Sequence, residues 1–229
     1  LLGEGIYNAV ISGKFAAKPL VIIFGLLNIK LPPFLTPGAT PSKITGSDLI
    51  IKCLKMYQVD TIFGIAGDHI LHLLDKLIDQ DFRMIDGRHE AASVHMANAY
   101  SRILRKPGVV MSTTPGHANA VAGLANAMHS EAPVINIAGS ADSSNIGRGA
   151  MQEFDQVGIA KPVTKGAWEI PSVERIPEYI SLAFRTAMEG KRGPVHLTIP
   201  HDLQEQSVDS EIFERFKNSS IDDKEDWLT

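Results

Sequence analysis

The residues able to do chemistry gather in four short segments, each following a run of apolar residues. In Phe63-Gly64-Ile65-Ala66-Gly67-Asp68-His69 two glycines bracket a strand end, which would let backbone approach a ligand closely. The same segment also reads as a plain turn into a helix with Asp68 as N-cap. Asp86-Gly87-Arg88-His89-Glu90 sets a carboxylate at the start of a helix, where the helix dipole favours it. Ala91, Ala92, Val94, Met96, Ala97 and Ala99 follow, so that helix looks buried almost all round. A glutamate on a buried helix is seldom unpaired, which makes Glu90 a candidate functional carboxylate. The third segment runs from Thr113 to Asn119 through Thr114, Pro115, Gly116, His117 and Ala118. Gly123 and Ala127 beyond it lie four apart, on a face where a second backbone could pack, either the chain's own sheet or another subunit. The fourth, Ser140 to Gln152, is long and polar and holds Asn145, Gly147, Arg148 and Gly149; long loops in compact domains are often functional.

Several familiar chemistries are excluded. Gly147-Arg148-Gly149 opens like a dinucleotide fingerprint, but Gln152 stands where the third glycine is needed. His89-Glu90 opens like a zinc-protease helix, but Ser93 occupies the place of the second histidine. There is no G-x-S-x-G elbow and no P-loop lysine motif. The single cysteine, Cys53, rules out an intramolecular disulfide and reads as a buried, inert thiol.

The elements that must position these segments alternate regularly. A helix capped by Ser47 or Asp48 runs to Tyr57, followed by a strand at 61–65 and a helix at 69–77. A strand at 83–85, a helix at 90–104, a strand at 109–113 and a helix at 119–128 come next. Strands at 134–138 and 162–165, a helix at 176–188 and a strand at 195–199 complete the series. The strands are continuous apolar runs, as in strands buried on both faces. The expected class is α/β, a doubly wound, mainly parallel sheet flanked by helices, with ligands at the carboxyl ends of the strands. Residues 1–42 read as an N-terminal arm or leader, 43–206 as the α/β domain, and 207–229 as an acidic tail or a linker to a missing domain.

Composition fits a globular core: 44% of the 229 residues are hydrophobic and 21% charged. A formal net charge of -4 offers no basic field for nucleic acid. The apolar stretch from Pro19 to Leu35 is broken by Lys30 and Pro32-Pro33, short of the ~20 residues a spanning helix needs, so no membrane partner is expected. The cysteine usage fits a reducing compartment, hence the cytoplasm, or an organelle if residues 1–41 are a transit segment.

Taken in order, the four segments resemble a known family. Arg88-His89-Glu90-Ala91-Ala92 with Met96-Ala97-Asn98-Ala99-Tyr100-Ser101-Arg102 is similar to the "HE…A…MA.AYAR" helix of thiamine-diphosphate enzymes. Those enzymes include acetolactate synthase, oxalyl-CoA decarboxylase, 2-hydroxyacyl-CoA lyase and the 2-oxo-acid decarboxylases. Phe63 to Gly67 resembles "FGVPG", Thr114 to Asn119 "GPGATN", Gly149 to Glu153 "GAFQE" and Gly193 to Pro200 the closing "GPV.l.iP" strand. Ala66, Thr114 and Met151 depart from those patterns.

The resemblance implies a pyrimidine-binding domain that takes the aminopyrimidine end of thiamine diphosphate. Glu90 would share a proton with the ring's N1′, so that the 4′ nitrogen can deprotonate C2 of the thiazolium. Ala66, Gly67, Pro115, Gly116 and Asn119 would border the cofactor, with Asp68, His117 and Gln152 on the substrate side. It further implies C–C cleavage or formation on 2-oxo acids or 2-hydroxyacyl-CoA-type substrates. No Gly-Asp-Gly occurs in the chain. Mg2+ and the diphosphate would then be held by a domain this chain lacks, from a second chain or a missing C-terminal part, in a dimer or tetramer. The chain alone would not be active. The alternative is a non-catalytic interaction or regulatory subunit with the same fold.

Overall fold

Parallel strands must be joined by crossovers, and the helices between them cover both faces of the sheet they build. The computed structural model describes residues 43–78 and 80–219. Strands β2 (Thr61–Gly64), β3 (Arg83–Asp86), β4 (Gly108–Ser112), β5 (Val134–Ser140), β6 (Gly166–Glu169) and β7 (Val195–Pro200) pair in the order β3-β2-β4-β5-β7-β6. Every pair is parallel, so all six carboxyl ends lie along one edge. The connecting helices are α1 (Gly46–Met56), α2 (Leu71–Ile78), α3 (Glu90–Leu104), α4 (Thr114–His129), α5 (Gln156–Ala160), α6 (Ile176–Met188) and α7 (His201–Glu205). The expected α/β, doubly wound class is the observed one.

Strand periodicity sorts the core into two layers, because successive side chains point to opposite faces. Val109, Met111, Ile135, Ile137, Val195, Leu197 and Ile199 face the core built with α1, α2 and α6. Val110 and Val134 face the other, with Val94 and Ala97 of α3 and Ala120, Leu124 and Ala127 of α4. On that second face Asn136, His196 and Thr198 are also fully buried, so the sheet carries a polar strip inside the molecule.

Several local expectations change. The cap of α1 is Thr45, whose hydroxyl accepts from Asp48 N while the Asp48 carboxylate accepts from Thr45 N; Ser47 is buried in the first turn. Neither Ser47 nor Asp48 is therefore the cap, and Asp48 closes a capping box instead. The expected strand at 162–165 is a 3-10 turn at Lys161–Val163, and the strand follows as β6, where the backbone is freed from Pro162. Helix α3 is buried along one face only, through Ser93, Val94, Ala97, Asn98 and Ser101; Ile103 at its far end is 78% exposed.

The acidic tail is the largest change. Strand β8 (Ser207–Asp209) pairs antiparallel with β1 (Lys43–Thr45), and α8 (Glu211–Ser219) follows. Val208 and Phe213 are buried in the first core layer. The charges of residues 209, 211 and 214 occupy the outward positions of an amphipathic segment, which composition alone reads as a solvated run. The readings of residues 1–42 and 220–229 lie outside the described residues. Among the described residues no helix is long and apolar enough to cross a membrane.

Candidate functional site

In this strand order the chain runs outward from β2 to β3 and then returns past β2 to β4. Such a reversal opens a crevice at the carboxyl ends of the two central strands, here β2 and β4. The glycines at the end of β2 and in the turn after it, Gly64 and Gly67, do not leave that space empty. A Cβ on Gly64 would meet Met111 O at 2.2 Å, and one on Gly67 would meet Thr113 Cγ2 at 2.4 Å. They are glycines because the β2 turn lies directly against the end of β4.

Glu90 reaches the crevice from the first turn of α3, behind the cap His89, whose Nδ1 accepts from Ala91 N at 3.2 Å. Its carboxylate is half-buried and lies against α4. Asn119 Nδ2 donates to Glu90 Oε2 at 2.9 Å. A Cβ on Gly116 would stand 2.8 Å from Oε1 and 3.1 Å from Cγ of the same glutamate. Gly116 is thus the floor on which Glu90 lies, and Asn119 is the clamp that fixes its rotation. Gly123 serves the same packing farther along, since a Cβ there would strike Val94 at 2.7 Å. The expected partners of this small-residue face are the chain's own sheet or another subunit; the neighbour found at Gly123 is instead α3 of the same chain.

The Thr113–Asn119 segment is largely helix and not loop. Helix α4 starts at Thr114 with Pro115 in its first turn, five residues earlier than expected from Asn119. Proline at that position loses no hydrogen bond, because the first-turn N–H groups have no helical partner. Early helix formation turns His117 inward, and this corrects its expected substrate-side place. His117 is 0% exposed. Its Nε2 bonds the Gln156 carbonyl at 3.1 Å, its Nδ1 meets Asn136 Nδ2 at 2.8 Å, and its ring stacks on His196 at 3.8 Å. A carbonyl only accepts, so Nε2 carries the proton; a buried neutral ring then accepts at Nδ1, which requires the amide nitrogen of Asn136 there. Burial holds His117 down at about 4 and pushes His196 well below the ordinary histidine range.

Asp68 does not cap a helix. It opens a 3-10 turn, Asp68–Ile70, capped by Gly67 without a side-chain bond. It lines a cavity of about 320 Å³ at the carboxyl edge together with His69, Asp142, Arg148, Met151 and His201. His69 is the residue that the sequence reading passes over as one position in a helix. Its only sequence signal is a polar side chain beside Ile70, Leu73 and Leu77, on the buried side of the element. The residue is 6% exposed, and its Nδ1 lies 3.0 Å from Thr114 Oγ1. Burial and the nearby His201 pull His69 below its ordinary value, against the pull of Asp68 and Asp142.

The loop after β5 is closed by Glu153, whose carboxylate accepts from Gly147 N and Ala150 N. Gly147 and Gly149 adopt φ of 78° and 73°, which their glycine identity permits without strain. Gln152, at φ 62° and exposed, lines neither that cavity nor a larger one of about 570 Å³ beside it. Ala66 and Pro115 are exposed and Gly67 half-exposed at the crevice.

This geometry agrees with what the chain is similar to. The family described as thiamine pyrophosphate enzyme, N-terminal TPP binding domain, matches residues 44–159. A probable acetolactate synthase large subunit of Methanocaldococcus jannaschii is 40% identical over 169 residues, 73% of this chain and 29% of that protein. The mitochondrial acetolactate synthase catalytic subunit of Saccharomyces cerevisiae is 37% identical over 70% of this chain and 24% of its own length. The mitochondrial acetolactate synthase of Schizosaccharomyces pombe is 32% identical over 86% of the chain and 31% of its own. The chain therefore spans less than a third of the length of these relatives. With the Glu90 clamp at the switch point and the family match across it, the chain belongs to the thiamine pyrophosphate enzyme family and carries its N-terminal TPP-binding domain.

Proposed function

We propose that this chain is the pyrimidine-binding part of a thiamine-diphosphate-dependent enzyme that forms or breaks C–C bonds of 2-oxo acids, as an acetolactate-synthase-type catalytic subunit. The arrangement that carries the reading is the Glu90 carboxylate, with Oε2 held by Asn119 and Oε1 over Gly116 with no donor among the described residues. That free oxygen would hydrogen-bond N1′ of the aminopyrimidine and share its proton. Asn119 would keep the carboxylate turned toward the ring, and Gly116 would keep it low enough to leave room. The backbone of Ala66 and Gly67 would border the ring on the β2 side and Pro115 on the α4 side. When bound, the cofactor supplies an acidic C2 carbon and an electron sink.

Asp68 would stand on the substrate side, in the cavity next to the Gly67 turn. Gln152 would join it only through movement of the β5 loop. The diphosphate and Mg2+ would be held by a second domain, C-terminal or on a partner subunit, so the active form would be a dimer or tetramer. The folded domain would run from Lys43 to Ser219, in a reducing compartment such as the cytoplasm.

The test is deuterium exchange at C2 of thiamine diphosphate, followed by NMR on this chain assembled with its diphosphate-binding domain. Glu90→Gln should fold normally and slow exchange by roughly 100-fold or more, the range of a lost acid–base group. Exchange at the wild-type rate in that variant would sink the assignment.

A further inference from the structure

The cavity beside the Gly67 turn contains an imidazole whose two nitrogens have different surroundings. His69 Nδ1 faces inward, 3.0 Å from Thr114 Oγ1. That hydroxyl also lies 3.1 Å from the Gly139 carbonyl and 3.3 Å from Gln156 Nε2. The other ring nitrogen, Nε2, has no hydrogen-bond partner among the described residues, and the residue lines the cavity. The backbone under the ring is packed and hydrogen-bonded at its carbonyl. Gln204 Nε2 donates to His69 O at 2.8 Å, and a Cβ on Gly139 would meet that oxygen at 2.0 Å.

The hydrogen bonds around Thr114 permit a ring state that leaves Nε2 as an acceptor. A threonine hydroxyl has one proton, and the Gly139 carbonyl can only accept it. That carbonyl also accepts from Gln156 Nε2 at 3.1 Å and so does not by itself require the threonine proton; in the arrangement where Thr114 donates to Gly139 O, Thr114 Oγ1 accepts from His69 and the ring carries its proton at Nδ1. The Nε2 lone pair is then left toward the cavity. The charged and titratable groups lining the same cavity are Asp68, Asp142, Arg148 and His201, with His201 Nδ1 3.3 Å from Asp142.

We infer that His69 is the acid–base group for the substrate in this cavity, with Nε2 as the reacting atom and Thr114 as the residue that sets its tautomer. The inference rests on the proposed cofactor role of Glu90. In the cleavage direction Nε2 takes the proton of the substrate hydroxyl. The electrons of that O–H bond close the carbonyl, and those of the breaking C–C bond pass to the cofactor's sink. His69 becomes an imidazolium facing the carboxylates of Asp68 and Asp142, and returns its proton to the product carbon or to solvent. Joining two carbonyl compounds runs the same transfer backwards.

Two variants separate this role from a structural one. Asn places its amide nitrogen near where Nδ1 was, so His69→Asn keeps the bond to Thr114 and removes Nε2. In the assembled enzyme, with thiamine diphosphate and pyruvate, His69→Asn should leave C2 exchange unchanged and slow turnover by about 100-fold. Its kcat should also lose the acidic limb of the pH profile. Turnover within threefold of wild type would overturn the inference, and so would C2 exchange falling in step with turnover, because His69 would then act through α4 and Glu90. Loss of exchange in the wild type would instead overturn the Glu90 reading. Independently of activity, histidine 15N NMR on the chain should show His69 protonated at Nδ1 at neutral pH, and Thr114→Val should shift that signal. A proton fixed on Nε2 in both proteins would overturn the inference.

Discussion

Gly116 and Glu90 form a size-matched pair, and the match is testable by one methyl group. A Cβ at position 116 would lie 2.8 Å from Glu90 Oε1 and 3.0 Å from Ser112 Cβ. The carboxylate is the softer neighbour, so Gly116→Ala should cost about 1–3 kcal/mol in urea unfolding and displace Glu90. C2 exchange in the assembled enzyme should fall with it, toward the Glu90→Gln level; unchanged exchange would mean the carboxylate finds its position without the glycine floor. At this scale the sequence shows residue types and misses directions. Glu90 at a helix start is legible from Arg88-His89-Glu90, and Gly116 and Asn119 are legible as neighbours on α4. That they meet Glu90, whereas His117 between them turns into the core, depends on the helix beginning at Thr114.

Helix α4 and strands β5 and β7 enclose a polar network whose cost depends on pH. His117 titrates near 6.5 in an unfolded chain and at about 4 here, because burial disfavours the charged ring. Above 6.5 both states are neutral and stability is at its maximum. As pH falls from 6.5 toward 4 the unfolded chain takes up a proton that the folded chain refuses, so stability drops. The slope approaches roughly 1.4 kcal/mol per pH unit for one such group, for a total on the order of 3 kcal/mol. His196 is shifted in the same direction and adds to it. Urea unfolding at pH 7.5, 6 and 5 should show this loss; a flat profile would mean the pair protonates without leaving the core. A smaller effect belongs to α1, where Thr45→Ala opens the capping box and should cost about 1 kcal/mol in the same assay.

Across the molecule, residues 207–219 pack into the structure as a strand and a helix. Strand β8 is the pairing partner of β1, and Val208 and Phe213 sit in the core with Ile44. Removing everything beyond Gln206 should therefore destabilise the chain by at least the ~3–5 kcal/mol of one lost buried phenylalanine, measured as a fall in the urea midpoint. A truncated chain as stable as the parent would restore the reading of this segment as a linker.

The alternation of apolar runs with helical patterns was enough to determine the α/β class, because parallel strands buried on both faces admit few other arrangements. The ordered motifs around Gly67, Glu90, Gly116 and Gln152 were enough to point to the family, because each follows a strand and must come to the same edge. The tertiary structure alone decided which polar residues are inside. The strand from Val195 to Pro200, read with the others as a buried apolar run, is indeed buried at every residue, but it takes His196 and Thr198 inside with it. His196 bonds Asn136 and stacks on His117, both far away in sequence, and Thr198 in turn bonds His196. Hydrogen-bond partners contributed by distant elements leave no local pattern. For that reason the inward histidine of α4 and the cavity-facing histidine beside Gly67 could be told apart only once the sheet had brought their partners to them.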